Sequence, residues 1–217
     1  MVGKQATSVT GTAPYCETVP RRALSADETD ARRQALLDAA VRVFNQQGHD
    51  ATVAVIARTA GVAKGSFYTY FDSKEDLVVA LRQRYISLLD TNATAIFERV
   101  GSEDLLDLAD EMVATFVDLA IEQRDVIKLI RCGGGGDATI ELAEANRRIQ
   151  EIVDAGIRVG VAAGLFEVDD PWLTAGLVNH AIHGYVEEMI LRDEDLDRQA
   201  VIVASQTLVR RALLKPV

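Results

Sequence analysis

Apolar residues recur at three- and four-residue intervals along most of this chain, but residues 1–28 show no such period. The first periodic stripe contains Leu36, Ala40 and Phe44 and is followed by Gly48. Apolar positions at this spacing line one face of an α-helix, and glycine readily adopts the backbone conformation that ends one. The pattern predicts a first helix that ends near Gly48, preceded by a mostly disordered arm.

Two short helices and one long helix are predicted next. Thr52 has the hydroxyl of a good N-cap for the second helix, and Gly61 breaks that helix because glycine tolerates positive φ. The third short helix runs through Phe67 and Phe71. Ser73, with an acidic residue three positions later, resembles a capping box and begins the long helix.

The rest of the chain has a helical pattern throughout, and no segment alternates as a strand does. Asp170 followed by Pro171 marks one helix start, because proline fits a first turn. The predicted fold class is all-α, with a disordered arm at 1–28, a compact domain at 29–75 and a larger helical bundle at 76–217. The helices predicted after the long one lie at about 105–122, 125–131, 140–163, 171–192 and 196–214.

The composition favours a globular helical protein, since 48% of the 217 residues are hydrophobic and only 4 are proline. The formal net charge of −10 is uneven: zero for residues 1–28, +2 for 29–84 and −12 for 85–217. Screening limits the reach of a distant acidic domain to about 8–10 Å. The charge therefore permits nucleic-acid binding without indicating it. Arg21 and Arg22 are interpreted as part of a solvated tail, with a minor-groove contact as the alternative.

The number of cysteines and the length of the apolar runs indicate in which cellular compartment the protein works. Cys16 and Cys132 are too few for a disulfide framework and belong to no Cys/His cluster of zinc spacing. No apolar run has the length of a secretory signal or of a membrane span, so we expect a cytoplasmic protein. The glycine run 133–136 lacks the lysine and hydroxyl residue of a phosphate-binding loop and is interpreted as a mobile connection. A thiol sensor at Cys132 is an open alternative.

The segment around Ala57 and Gly61 has the pattern of a helix-turn-helix. Helices that cross steeply need a small residue at their contact and a turn residue that tolerates positive φ. Burial of Ile56, Val62 and Phe67 then leaves a small, cationic and hydroxyl-bearing face, which suits a helix in a DNA major groove. A plain helical hairpin, the alternative, leaves two outward tyrosines without a role. The outward residues are Ala63, Lys64, Gly65, Ser66, Tyr68 and Tyr70.

The segment from about residue 29 to residue 81, roughly a quarter of the chain, closely resembles the N-terminal domain of the TetR (tetracycline repressor) family. Ala54, Val55 and Ala63 depart from the family pattern, in which more polar residues are frequent, and we expect modest DNA affinity or a narrower base readout. The resemblance rests on Phe44, Gly48, Thr52, Ile56, Ala57, Ala60, Gly61, Val62, Gly65, Ser66, Phe67, Tyr68, Tyr70, Phe71, Ser73 and Lys74.

The resemblance implies a DNA-binding helix-turn-helix followed by a helical domain that binds a small molecule and dimerises. Lys64, Gly65 and Ser66 would face bases. Thr52 would be a phosphate-contacting helix cap, and Tyr68, Tyr70 and Lys74 would hold phosphates. We therefore predict a repressor that binds a palindromic operator as a homodimer and is released by an unidentified small molecule; an activator is the alternative within this class. The residues placed on DNA are Thr52, Ala63, Lys64, Gly65, Ser66, Tyr68, Tyr70 and Lys74.

Family members pair through their last two helices, and both helices of this chain carry small and apolar residues at helical spacing. An intramolecular core is the alternative interpretation for each residue. The residues predicted for the dimer interface are Leu177, Ala181, Gly184, Ile202, Ser205, Leu208, Val209 and Ala212.

Large apolar side chains of the bundle are expected to line the ligand pocket, with ordinary core packing as the alternative. His180 and His183, followed by Glu187, have a spacing that would suit a metal, but no second carboxylate or cysteine cluster supports one. Hydrogen bonds at a helix interface are the simpler interpretation, and we predict no metal and no cofactor. The residues predicted for the ligand pocket are Met112, Phe116, Ile130, Trp172 and Tyr185.

No catalytic motif is present in the sequence, such as G-x-S-x-G or H-E-x-x-H. The three histidines have no suitable nucleophile partner, so the chain is not predicted to be an enzyme. A purely structural or protein-binding module would leave Lys64, Ser66, Tyr68 and Tyr70 without a function.

Overall fold

The computed structural model describes residues 25–133 and 136–214, with their side chains except at residue 49 and residues 131–139. Within these ranges the chain is helical and has no β-strand, apart from one isolated bridge between Val100 and Glu103. The all-α fold class is confirmed. The helices are α1 Ala26–Gln47, α2 Val53–Thr59, α3 Lys64–Phe67, α4 Lys74–Phe97, α5 Leu105–Glu122, α6 Arg124–Gly133, α7 Gly136–Ala162, α8 Pro171–Leu191 and α9 Arg198–Leu213, with a 3₁₀ turn at Gly48–Asp50.

The first helix begins earlier than the apolar period predicts. Ser25 and Glu28 form a capping box: the Ser25 hydroxyl accepts the Glu28 N–H at 3.1 Å, and the Glu28 carboxylate accepts the Ser25 N–H at 2.9 Å. Residues 26–28 are therefore helical, although they were expected in the arm. Cys16, Arg21 and Arg22 lie outside the described residues.

The α2–α3 unit has the predicted helix cap at its start and the predicted glycine in its turn. The Thr52 hydroxyl accepts the Val55 N–H at 3.4 Å, and Gly61 has φ of +73°. The third helix is shorter than predicted. It ends at Phe67, because the N–H groups of Tyr70 and Phe71 both bond back to the Phe67 carbonyl oxygen, at 2.9 and 3.1 Å, and close a turn.

Helix α4 belongs to both halves of the molecule. Ser73 caps it by accepting the Asp76 N–H at 3.0 Å, and Leu77 and Leu81 near its start are fully buried in the core that contains the N-terminal helices. Arg82 is also buried and pairs with Glu141 of α7 at 2.7 Å. With 24 residues, α4 is about 36 Å long at 1.5 Å per residue.

The C-terminal helices surround the second half of α4. Helix α4 packs on α7, α7 on α8, and α5 on α9. Two ion pairs hold α9 against α5: Arg198 binds Asp118, and Arg210 binds Asp110. The hydrogen bonds from Arg198 lower the pKa of the Asp118 carboxyl. No helix within the described ranges is both long and apolar enough to cross a membrane.

Candidate nucleic-acid interface and ligand cavity

The core of the α2–α3 unit consists of the residues predicted for it. Ile56, Ala57 and Phe67 are almost completely buried, and Val62 is half-buried against them. The Val62 N–H donates to the Ala57 carbonyl oxygen at 2.9 Å. Because apolar contacts and this hydrogen bond both join the two helices, the direction of α3 relative to α2 is defined by packing.

The opposite side of α3 is open to solvent. Ala63, Lys64 and Gly65 are exposed, Ser66 is half-buried, and Tyr68 is 51% exposed. The ring of Tyr68 meets the buried Phe67 ring edge-on, with centroids 5.4 Å apart and planes at 80°. This contact restricts the position of Tyr68 while leaving half of its surface accessible to a partner.

The three remaining residues predicted for DNA binding lie in different environments. Thr52 is exposed at the start of α2, and Lys74 is half-buried at the first residue of α4. Tyr70 was expected to face outward, but it is half-buried and packs against the core. The reason is that α3 ends at Phe67, so the turn that follows brings Tyr70 back towards the domain.

The charge of this surface is positive despite the acidity of the chain. Residues 51–71 contain Arg58 and Lys64 and no Asp or Glu, and both cations are exposed. Nearby, Arg33 of α1 lies 5.3 Å from the centroid of the Phe71 ring, in a cation–π contact. The helix-turn-helix therefore presents cations, hydroxyl groups and a tyrosine ring on one small domain.

Comparison with known proteins decides the family. The model of bacterial regulatory proteins of the tetR family matches residues 36–81. The transcriptional repressor KstR2 of Rhodococcus jostii is 31% identical over 154 residues, which are 66% of this chain and 74% of that protein. This chain belongs to the TetR family. It is thus a transcriptional regulator rather than an enzyme, as predicted.

One further sequence match and one structural match of this TetR-family chain show which parts of it are similar to known proteins. The uncharacterized transcriptional regulator YvdT of Bacillus subtilis is 30% identical, but the match spans 52% of this chain and 58% of YvdT. The transcriptional regulator FadR of Bacillus subtilis, solved in complex with stearoyl-CoA, superposes with a TM-score of 0.64 and 21% identity over 82% of this chain and 98% of that one. The second likeness concerns the fold alone.

The C-terminal domain of this TetR-family chain encloses a cavity of about 140 Å³ that is partly open to solvent. Its wall is built by α4, α5, α7, α8 and α9 together with Val100 and Phe166, and it is largely aliphatic and aromatic. The polar residues of the wall are Asn92, Thr115, Asn179 and His183.

The five residues predicted for the ligand pocket do not lie together. Met112 and Phe116 of α5 line the cavity. Ile130 is buried beside a separate small crevice, and Trp172 and Tyr185 are 40% and 52% exposed, outside the cavity wall. Tyr185 lies on the outer side of α8. Trp172 shares the helical phase of the buried Ala175 and Asn179 but is the second residue of the helix, beyond the cavity wall.

The sequence interpretation missed Asn179 and Gly156, which both line the cavity. A signal for Asn179 was available: residues 171–186 contain no Asp, Glu, Lys or Arg, and Asn179 shares a helical phase with the buried Ala175, Ile182 and Val186. Gly156 carries no comparable signal, because nothing in its neighbourhood distinguishes it from other small residues of α7.

The two histidines of α8 have separate environments. His180 is exposed and its Nδ1 lies 2.8 Å from the Gly176 carbonyl oxygen, one turn earlier in the helix. His183 lines the cavity and stacks on Phe116, with ring centroids 3.5 Å apart. Over residues 25–133 and 136–214 no three His, Cys, Asp or Glu side chains come close enough together to hold a metal. The side chain of Cys132 lies outside the described part of the chain.

Of the residues predicted for the dimer interface, some are accessible to solvent in the single chain and others are buried in it. Leu177, Ala181, Gly184 and Leu208 are exposed and Ala212 is half-buried. Ile202, Ser205 and Val209 are buried within the chain itself, so for these three the expected contact with a partner is wrong. Their stripe faces α5, because the Arg198 and Arg210 ion pairs turn that side of α9 inward.

Proposed function

We propose that this protein is a homodimeric repressor that binds a palindromic operator and releases it when a small molecule enters the cavity. The observation that supports this function best is the course of α4. Its first turns pack into the helix-turn-helix core through Leu77 and Leu81, and its last turns line the cavity from Leu89 to Phe97. One continuous helix therefore connects the surface proposed for DNA with the site proposed for the effector.

The DNA contact is proposed for the exposed side of α3 and the helix starts beside it. Lys64, Gly65 and Ser66 would face base edges, since small residues let the backbone approach and polar groups read the major groove. Phosphates would be held by hydroxyl and ammonium groups, which position a protein on DNA. The residues proposed to contact phosphates or the backbone are Thr52, Ala63, Tyr68, Tyr70 and Lys74.

Dimerisation is proposed for the outer faces of α8 and α9. Among the described residues, seven of the thirteen exposed large apolar side chains lie on these two helices. Leu177 is 64% exposed, and Ala181 and Gly184 on the same face are small enough for close approach of a partner helix. Two reading helices about 34–36 Å apart are what a palindromic operator requires.

Release of the operator is proposed to follow from differential binding. A ligand shifts an equilibrium only by its differential affinity for the two states. Because α4 forms part of the cavity wall, a ligand that favours one position of α4 also favours one spacing of the two DNA-reading helices. Such a regulator acts on DNA in the cytoplasm.

The function is tested by selecting operator sequences from a random double-stranded DNA pool with the full-length protein. Enrichment of a two-fold symmetric site, bound by two chains with steep salt dependence, is the expected result. Enrichment of no sequence at low salt contradicts the proposal. An in vivo reporter downstream of the selected site then distinguishes repression from activation.

Replacing Lys64 by alanine is expected to weaken operator binding by about 10- to 100-fold, because each half-site loses a cation that is exposed on α3. If the lysines neutralise phosphates, the slope of log K against log salt falls by about 2 for the dimer, at about 0.9 per phosphate. Fluorescence anisotropy across a salt series measures both quantities. Arg147→Ala, which removes an exposed cation of α7, should leave both unchanged; an equal effect of the two variants would exclude a specific role for Lys64.

A further inference from the structure

The wall of the cavity contains no Asp, Glu, Lys or Arg, although the C-terminal part of the chain is rich in acids. Among the described residues of the wall, His183 is the one titratable side chain. Several ionised side chains of α5 and α9 form ion pairs outside it, such as Arg210 with Asp110. A charged group that entered this cavity would lose hydration without gaining a carboxylate, ammonium or guanidinium partner, which is strongly unfavourable.

One polar side chain of the wall is almost completely buried and borders the cavity without a protein partner. Asn179 of α8 is 7% exposed; no hydrogen bond joins its amide to another residue of the described ranges, and its amide atoms stay accessible from the cavity. An amide holds two N–H donors and one carbonyl acceptor, and leaving them unpaired in an apolar surrounding costs stability. A buried amide of this kind that borders an empty space is suited to a hydrogen bond with a ligand.

The other polar groups place Asn179 at one side of the cavity. His183 lies one helical turn further along α8 and also borders the cavity, with its ring stacked on Phe116. The walls contributed by α7 and α9 are apolar, with Ile149, Val153 and Val209 among their residues. The cavity therefore has two polar side chains on α8, a single polar side chain on each of α4 (Asn92) and α5 (Thr115), and apolar walls on α7 and α9.

From this arrangement we infer that the effector is an uncharged amphiphile: an apolar chain or ring with a hydroxyl, carbonyl or amide group that bonds to the side chain of Asn179. The inference rests on the proposed function, in which this cavity is the effector site. Cavities of about 150 Å³ lined by similar aliphatic and aromatic residues take up benzene, so the part of the effector that is enclosed corresponds to a small ring or a short alkyl chain.

The same argument disfavours fatty acids and acyl-CoA thioesters as the preferred class of ligand. Their carboxylate or phosphate groups need cations or several N–H donors, and the wall offers neither a lysine nor an arginine. FadR of Bacillus subtilis, which shares the fold, was solved with stearoyl-CoA. This chain uses the shared fold for a different ligand chemistry.

The test compares head groups on one alkyl chain by isothermal titration calorimetry of the full-length protein without DNA. The probes are 1-octanol, octanamide, sodium octanoate and octanoyl-CoA at neutral pH. We expect the alcohol and the amide to bind at least tenfold more tightly than the carboxylate and the thioester. Tighter or equal binding of octanoate or octanoyl-CoA, or no binding of either neutral probe, would overturn the inference.

Two variants locate the site. Asn179→Leu keeps the branched shape and the number of heavy atoms of the side chain and removes the amide, and it is expected to weaken octanamide binding about tenfold while leaving the unfolding midpoint unchanged or raised. Gly156→Leu projects into the cavity, since no atom lies within 4 Å of a Cβ built there, and it should abolish binding of both neutral probes. Unchanged affinities in both variants would place the ligand elsewhere.

The two proposals fail separately. If the selected operator is bound but neither neutral probe binds, the repressor function stands and the inference about the effector is wrong. If the neutral probes bind with the expected preference and no DNA sequence is selected, the ligand site stands and the proposed repressor function is wrong.

Discussion

Leu177→Arg is expected to convert the dimer into a monomer and to lower operator affinity by about 10²- to 10⁴-fold, because two linked half-site contacts become independent. Leu177 is the most exposed of the large apolar side chains in the described part of the chain, and from residue 171 to residue 186 α8 carries no charged residue. An arginine at the centre of such an interface would be buried without a counter-ion. Sedimentation velocity measures the change of mass, and fluorescence anisotropy measures the affinity.

A matched control separates the interface from a general effect of surface charge. Leu165 is also exposed, in the segment between α7 and α8, and Leu165→Arg should remain a dimer with unchanged operator affinity. Since both leucines are solvent-exposed in the single chain, neither substitution should reduce helical content. A Leu177→Arg protein that still sediments as a dimer would show that chains pair through another surface.

Phe67→Ala is expected to destabilise the N-terminal domain by about 3–5 kcal/mol, the usual cost of removing a fully buried phenylalanine. The ring of Phe67 is completely inaccessible to solvent and contacts Phe71 and Tyr68. Its loss leaves a void between α2, α3 and the start of α4. Urea unfolding followed by circular dichroism measures the free energy, and DNA binding should be lost because α3 is no longer held in place.

The neighbouring residue provides the comparison. Tyr68→Ala removes a half-exposed ring, so the free energy of unfolding should change by about 1 kcal/mol or less, whereas operator affinity should fall by about 10-fold or more. The two adjacent substitutions therefore separate core from contact surface. If Tyr68→Ala destabilised the protein as much as Phe67→Ala, the assignment of Tyr68 to the DNA-facing side would be wrong.

The helix starts were predictable because caps are local. Ser73 and Asp170 each accept a backbone N–H of the first turn of the helix that follows them, and both were identified as helix starts from residue type and spacing alone. The end of α3 was not predictable in the same way. Its final hydrogen bonds depend on how Phe67 and Phe71 pack into a core built by α1 and α4, which is a tertiary effect.

For the last helices, the sequence did not show whether an apolar face packs inside its own chain or against a partner chain. An apolar stripe on α9 was assigned to a partner chain, yet Ile202 and Val209 are in the core of their own chain. Both environments select the same residue types, so periodicity alone cannot distinguish them. Aromatic character alone is a similarly weak signal for the ligand pocket. Tyr185 has a helical phase different from that of the buried Asn179, and Trp172 shares that phase but lies in the first turn of α8, outside the cavity wall.

The ion pair between the buried Arg82 and the partly exposed Glu141 ties α4 to α7 at one point along its length. Arg82 lies about one third of the way along the helix, between Lys74 at the DNA end and Phe97 at the cavity end. At 1.5 Å per residue the two arms are about 12 and 22 Å long. A rotation about this point would move the two ends in opposite directions, and the DNA end would travel about half as far as the cavity end. A displacement of the cavity end of α4 would therefore produce a smaller displacement of the end near the helix-turn-helix. The force at that end would be correspondingly larger.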